Sequence, residues 1–177
     1  MKVERTKLDG VLVLQPTIYK DERGFFLESF NKDKYVKAGI NFDFVQDNHS
    51  RSSKGVLRGL HFQVNKPQGK LVSCTSGEVL DVVVDINPDS ETFCEYISVE
   101  LSGENSKQLW VPPGYAHGFY VLSEFADFCY KCTSYYDPED NSGIIWNDPK
   151  IDINWPTNNP ILSDKDKNNL LIKDMFN

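Results

Sequence analysis

Histidine is scarce in this chain, three in 177 residues, and no two of them stand as His-x-His. The sequence therefore offers no ready-made ligand set, and a metal site is not expected. Cysteine is little used too: of four, only Cys129 and Cys132 form a C-x-x-C. No second such pair and no nearby histidine completes four ligands, and a spacing of three on a strand aims the two thiols at opposite faces. All four are expected to be reduced thiols. There is no apolar run of membrane-spanning length, and residues 1–7 lack the apolar stretch of a secretory signal, so a soluble, cytoplasmic protein is expected. Positive charge is in deficit, with 19 Lys and Arg against 26 Asp and Glu and a net charge of −7. That balance argues against nucleic acid as a partner, because phosphate contacts demand clustered cations. An anionic ligand has to be small and held by a local group of basic side chains.

Internal repeats and low-complexity linkers are also missing, so the chain reads as one domain over residues 1–177. At this length a single core buries about two-thirds of the unfolded surface, and disulfides are unnecessary. What the sequence does contain is a series of short runs rich in β-branched and aromatic residues. They cover residues 11–14, 24–30, 56–63, 70–75, 78–86, 94–101, 108–111, 118–122 and 126–133. With turns such as Ser76-Gly77 and Ser102-Gly103 between them, they predict an all-β sandwich or barrel. One short helix is predicted over residues 31–38, with Asn31 as N-cap and Gly39 as the stop. Beyond Pro138 the chain is rich in Asp, Asn, Pro and Trp and reads as loops wrapped on the barrel, with a second short helix after Ser163.

Two of the three histidines lie in apolar, glycine-punctuated segments, His61 in Val56-Leu57-Arg58-Gly59-Leu60-His61-Phe62-Gln63 and His117 in Pro112-Pro113-Gly114-Tyr115-Ala116-His117-Gly118-Phe119. A single such histidine is as readily a hydrogen-bonded core residue as a functional one. A barrel, however, turns one parity of each strand toward a common interior, so an enzyme built on it gathers its site from several strands. Candidates for that interior are His61 and His117, the cations Arg23, Arg58 and Lys70, and Tyr130 between two strand cysteines. Strict alternation sets Arg58 and His61 on opposite faces; Gly59 between them could admit a bulge that re-aims one of the two.

The segments Arg23-Gly24-Phe25-Phe26-Leu27-Glu28, Gln46-Asp47-Asn48, Val56 to Gln63, Gln68-Gly69-Lys70-Leu71-Val72, Pro113 to Phe119, Tyr135-Tyr136-Asp137-Pro138 and Ile161-Leu162-Ser163-Asp164-Lys165-Asp166 resemble, in order, the dTDP-4-dehydrorhamnose 3,5-epimerases. The resemblance spans nearly the whole chain. It implies a cupin-type jelly roll with a few short helices, usually a homodimer, acting without metal or cofactor on a dTDP-linked 4-keto-6-deoxyhexose. By the same resemblance His61 is the general base, Asp166 orients it, Tyr130 is the acid on the other face of the sugar, and Lys70 steadies the developing oxyanion. Arg23, Phe26, Glu28, Gln46, Asn48, Arg58 and Tyr136 match residues that bind the nucleotide sugar, some across the dimer interface, and His117 matches a pocket histidine.

That chemistry asks for these residue types in its own right. A proton next to a ketone is weakly acidic and needs a base that is neutral near pH 7, which imidazole supplies. Charge gathers on the ketone oxygen as the proton leaves, and inversion requires a second acid across the ring, a task a phenol can perform. Each assignment has a plainer rival. Ser163-x-x-Asp166 is also a helix-capping pattern, Tyr130 could simply bury its ring, Lys70 could be an edge lysine, and Arg23 with Glu28 could be a surface ion pair. Asp85 is the alternative carboxylate for His61. Three other functions stay open at this point: a single-carbon epimerase of a related sugar, a non-catalytic nucleotide-sugar-binding module, and, against the histidine count, a metal-dependent cupin.

Overall fold

A computed structural model describes residues 1–175. Two antiparallel sheets face each other. The first has the spatial order β1 (Lys2–Arg5), β2 (Leu12–Gln15), β10 (Gln108–Val111), β7 (Lys70–Ser76), β12 (Phe125–Cys132) and β5 (Gln46–Ser53). The second runs β13 (Asn141–Gly143), β6 (Leu57–Gln63), β11 (Tyr115–Val121), β8 (Glu78–Asp85) and β9 (Tyr96–Ser102). A separate hairpin, β3 (Ile18–Asp21) with β4 (Gly24–Leu27), stands off both. The helices are α1 (Lys32–Lys37) and α2 (Asp164–Lys167), and a single 3₁₀ turn covers Ile172–Asp174. The architecture is the cupin-type jelly roll that the resemblance implies.

Side-chain parity builds three apolar layers from these strands. Val72, Cys74, Val79, Val83, Leu109, Phe119 and Phe128 meet between the sheets. The alternate residues of the first sheet, Leu12, Leu14, Leu71 and Trp110, pack outward against Tyr35 of α1. The outward residues of the second, among them Leu57, Leu60, Val82 and Val84, are covered by Ile144, Ile151, Trp155 and Ile172 of the C-terminal segment. Each fully buried aliphatic side chain of this size stabilises the fold by about 1.5–3 kcal/mol. With both outer faces covered, the inter-sheet space is free to hold polar residues.

Helix α1 is capped as its sequence predicts: the Asn31 side chain accepts the Lys34 N–H at 3.3 Å, and Gly39 follows at φ +100°. The strands β1, β3, β5 and β13 were not anticipated. For β5 the reason is chemical. Gln46, Asn48 and Ser50 turn inward and Asp47, His49 and Arg51 turn to solvent, so the burial alternates while the hydropathy does not. Strand β11 starts at Tyr115, three residues before the expected run. Cys129 and Cys132 do point to opposite faces of β12: Cys129 contacts Thr75 outside, Cys132 is fully buried, and all four cysteines are free thiols.

The bulge suspected at Gly59 is present. His117 of β11 sits opposite His61, but Phe119, two residues on, sits opposite Arg58, three residues back, so β6 carries one extra residue. Leu57 and Leu60 accordingly both face the outer core, and Arg58 and His61 both face inward. Gly59 has φ +127°, and a Cβ there would lie 2.5 Å from the Gly118 Cα and 2.9 Å from the His117 carbonyl oxygen. A side chain at Gly118 would lie 2.6 Å from the Arg58 oxygen, so neither glycine of this back-to-back pair tolerates one. Gly59→Ala is expected to lower stability by about 2–4 kcal/mol, because a left-handed backbone strain adds to an overpacking clash. Urea denaturation of the variant checks this; a midpoint within error of wild type would mean that the bulge is not under this constraint.

Candidate active site

The inter-sheet space opens at one end into a cavity of about 470 Å³. Arg58, His61 and His117 reach it from the second sheet, Lys70 and Tyr130 from the first, and Asp166 from the C-terminal segment that crosses its mouth. A lobe of about 200 Å³ adds Gln46 and Asn48, with Tyr136 on the wall of both. The structure thus unites nine of the expected residues, Asp166 among them. Arg23, Phe26 and Glu28 do not line this cavity within one chain. They stand on or beside the exposed β3–β4 hairpin, where Arg23 pairs with Asp21 at 2.6 Å and Glu28 with Lys34 at 2.7 Å rather than with each other. A more open depression of about 560 Å³ beside Trp146 and Trp155 has no imidazole, thiol or lysine in its wall.

His61 and Asp166 form a dyad. The ring Nε2 lies 2.5 Å from Asp166 Oδ1, and the carboxylate is only 4% exposed while the imidazole is 31% exposed, so the ring's remaining edge is open to the cavity. Asp166 also keeps its helix-capping role. Its N–H donates to Ser163 Oγ at 3.1 Å, and the Ser163 hydroxyl donates to Asp166 Oδ2 at 2.8 Å. The two readings of Ser-x-x-Asp were rivals in sequence and are one device in space: capping α2 is what holds the carboxylate on the imidazole. Burial pushes the Asp166 carboxyl up, but the His61 ring, the Ser163 hydroxyl and the Gly59 N–H outweigh it and hold its pKa below the ordinary value. Asp85 is elsewhere, accepting from Ser90 Oγ at 2.5 Å, Thr92 Oγ1 at 2.6 Å and the Asn87 N–H at 2.9 Å; it organises the loop before β9.

Across the cavity, Tyr130 and Lys70 come from neighbouring strands of the opposite sheet, with Lys70 in register with Cys132, two residues beyond Tyr130. Burial raises the Tyr130 pKa, with the Cys132 neighbour adding and Arg58 opposing, so the phenol keeps its proton near neutrality. Burial lowers that of Lys70. Arg58 is steadied through its Nε, which donates to Ser52 Oγ at 3.0 Å. His117 turns its Nε2 to Asp81 at 2.9 Å. An imidazole backed by a carboxylate on one wall faces a phenol and an ammonium on the other, an arrangement suited to moving protons on and off opposite faces of a small carbon acid. Among the described residues, no three His, Cys, Asp or Glu side chains gather as a metal would require.

A family model for dTDP-4-dehydrorhamnose 3,5-epimerase matches residues 5–174. The chain belongs to this epimerase family. It is 55% identical over 170 residues to the dTDP-4-dehydrorhamnose 3,5-epimerase of Escherichia coli, covering 94% of this chain and 92% of that protein. Among solved structures, the RmlC 3,5-epimerase of Legionella pneumophila in complex with dTDP-4-keto-L-rhamnose superposes with a TM-score of 0.96 at 52% identity, covering 98% of this chain and 94% of that one. The dTDP-4-dehydrorhamnose 3,5-epimerase of Bacillus anthracis, solved with TDP and pyrophosphate, gives a TM-score of 0.94 at 44% identity over 96% and 98% of the two chains.

Sequence reasoning missed three residues of the epimerase cavity and its surroundings. Lys165 and Asn141 line the mouth, and Asp81 lies behind His117. Lys165 sits inside a matched segment but reads as an ordinary solvated helix lysine. Asp81 was the one with a signal: a lone carboxylate at an inward position of the apolar strand Glu78–Asp85, where an unpaired charge is not tolerated.

Because the folded-state pKa of Asp166 is depressed, its ionisation contributes stability that is present above the ordinary carboxylate pKa and lost as pH falls through the lower folded value. The stability difference between wild type and Asp166→Asn is therefore expected to be largest near neutrality and to shrink on acidification below the carboxylate range. Urea titrations at a series of pH values measure it; a pH-independent difference would show that the carboxylate's charge is not what the dyad stabilises.

Proposed function

We propose that the chain catalyses the 3,5-epimerisation of dTDP-4-dehydro-6-deoxy-D-glucose to dTDP-4-dehydro-L-rhamnose by proton removal and return beside the C4 ketone. The observation that carries this reading is the His61–Asp166 dyad on one wall of a cavity whose other wall holds Tyr130 and Lys70. His61 takes the proton at C3 and at C5, and Asp166 fixes the ring and balances the imidazolium that forms. Lys70 faces the C4 oxygen as it gains charge; a donor aimed at such an oxyanion lowers the barrier by about 3–4 kcal/mol. Tyr130 delivers a proton to the opposite face of the carbon, which inverts it. Arg58 and His117 hold the sugar and its phosphates, and Gln46, Asn48 and Tyr136 receive the nucleotide end. No metal or cofactor takes part.

The working unit is a homodimer of single-domain chains, each spanning residues 1–177. Phe25 and Phe26 of the hairpin are 64% and 67% exposed, and Arg23 and Glu28 flank them. Two neighbouring aromatics held out in water on a stand-off hairpin are suited to docking on a second copy, where Arg23, Phe26 and Glu28 complete the partner's nucleotide-sugar site. The enzyme acts in the cytoplasm, in dTDP-rhamnose and polysaccharide biosynthesis. Among the described residues, no helix is long and apolar enough to cross a membrane.

Incubation with dTDP-4-keto-6-deoxyglucose in D₂O without added metal, followed by proton NMR, is expected to place deuterium at both C3 and C5. Exchange at one carbon alone would identify a single-carbon epimerase, and no exchange would favour a binding module. His61→Ala is expected to lower kcat by at least about 10²- to 10⁴-fold, the scale of general-base catalysis, with nucleotide affinity nearly unchanged. Wild-type turnover in that variant would remove His61 from the chemistry.

A further inference from the structure

Tyr136 lines both the cavity and its lobe, yet it stands in a stretch without regular secondary structure and is 51% exposed. A ring so placed keeps its position only if its backbone is held, and here side chains hold it. The Tyr136 N–H donates to Gln46 Oε1 at 2.9 Å. The Asp137 N–H donates to Gln63 Oε1, also at 2.9 Å, and the Tyr135 carbonyl accepts from Gln63 Nε2 at 3.4 Å. Gln63 thus binds the peptide groups on both sides of Tyr136. Its Nε2 also donates to the Lys66 carbonyl at 2.8 Å. A backbone N–H can only donate, so the bond from Asp137 fixes which end of the Gln63 amide is oxygen. Gln63 is 3% exposed and is not among the side chains that line the cavity or its lobe. It stands two residues after His61 on β6, on the same inward parity, while Phe62 between them packs in the outer layer.

We propose that Gln63 is a positioning residue for the nucleotide end of the ligand: it acts through Tyr136, holding that ring in place relative to His61 on the same strand. The inference rests on the reading that Tyr136 receives the nucleotide end. The plainer role for Gln63 is to lace the loop after β6 to the segment after β12, but other bonds already do that. Gln68 Nε2 donates to the Ser134 carbonyl at 2.7 Å, and the Gly69 N–H donates to Thr133 Oγ1 at 2.8 Å. Ser134 Oγ donates to the Lys66 and Pro67 carbonyls, and the Asp140 carboxylate accepts the Asn65 and Lys66 N–H groups at 2.8 Å. Those ties fall at residues 133, 134 and 140. Among the described residues, the backbone of 135–137 is held by Gln46 and Gln63. What Gln63 adds is therefore specific to Tyr136. A wall residue ordered in advance does not have to be ordered by the ligand, and that saving appears as affinity.

The full-length chain is titrated calorimetrically with dTDP as wild type, Gln63→Met, Tyr136→Ala and the double variant, and kcat and KM are measured for the single variants. Gln63→Met keeps the length of the side chain and removes its hydrogen bonds. It is expected to weaken dTDP binding about five- to tenfold and to raise KM to match, with kcat within about twofold. In the Tyr136→Ala background the same change is expected to cost less than about twofold, because the ring through which it acts is gone. A residue that only supports the fold weakens binding by the same factor with or without the ring. Hydrogen exchange tests the wild type directly: the Asp137 amide, in an exposed stretch, is expected to exchange at least about tenfold more slowly than in an unstructured peptide. Exchange at the unstructured rate overturns the proposal without recourse to any variant. So does wild-type dTDP affinity in Gln63→Met while Tyr136→Ala binds weakly, or a double variant in which the two losses multiply. Wild-type affinity in Tyr136→Ala instead removes Tyr136 from nucleotide binding, and the proposal with it, while deuterium exchange at C3 and C5 remains the separate test of the epimerase reading.

Discussion

Two glycines set back to back, Gly59 on β6 and Gly118 on β11, are the constraint on which the site depends. Because neither can carry a side chain, the two strands approach closely where β6 accommodates one extra residue. That single insertion reverses the parity of everything after it. Leu60 goes to the outer core instead of the cavity, and His61 goes to the cavity instead of the outer core. Without it Arg58 and His61 would lie on opposite faces of the sheet, and Asp166 would have no ring to meet.

The dyad is held together from a second direction by a segment that is not part of either sheet. Ile161 pairs with Val56 and Leu170 with Ile144, so the stretch carrying α2 is tied to the second sheet at both ends. Within it, one serine hydroxyl both caps the helix and holds the catalytic candidate's free oxygen. Local folding and site assembly are the same event here. The N–H groups that a short helix leaves unpaired and the carboxylate that an imidazole needs are served by neighbouring atoms of Ser163 and Asp166.

A barrel interior is an expensive place for ions, and this one concentrates them at one end. Val72, Val79, Val83 and Phe119 fill the middle of the inter-sheet layer, while Lys70 and His117, inward on two of the same strands, line the cavity and Asp81 backs His117. The outer layers under α1 and the C-terminal segment supply further apolar burial. The stability of the fold therefore does not require the inter-sheet space to be uniformly apolar, and low local dielectric at its open end strengthens each charge that faces the cavity.

The short β-branched and aromatic runs of β7, β8, β10 and β12 made the barrel legible, and the caps at Asn31 and Ser163 marked both helices, because these signals are local. Strand β5 was illegible because its two environments, cavity and solvent, are both polar, and no hydropathy period survives. The site residues were legible as residue types and through resemblance, but not as partners. Sequence by itself determined that the chain is a β-rich domain with two histidines in buried surroundings, a capped carboxylate near its end, and too little positive charge for nucleic acid. Only the tertiary structure decided that Asp166 rather than Asp85 backs His61, that Arg58 and His61 share a face, and that Asp81 stands behind His117. Those pairings join residues 105 and 36 positions apart, and they depend on register and strand packing rather than on any preference expressed within a single run of sequence.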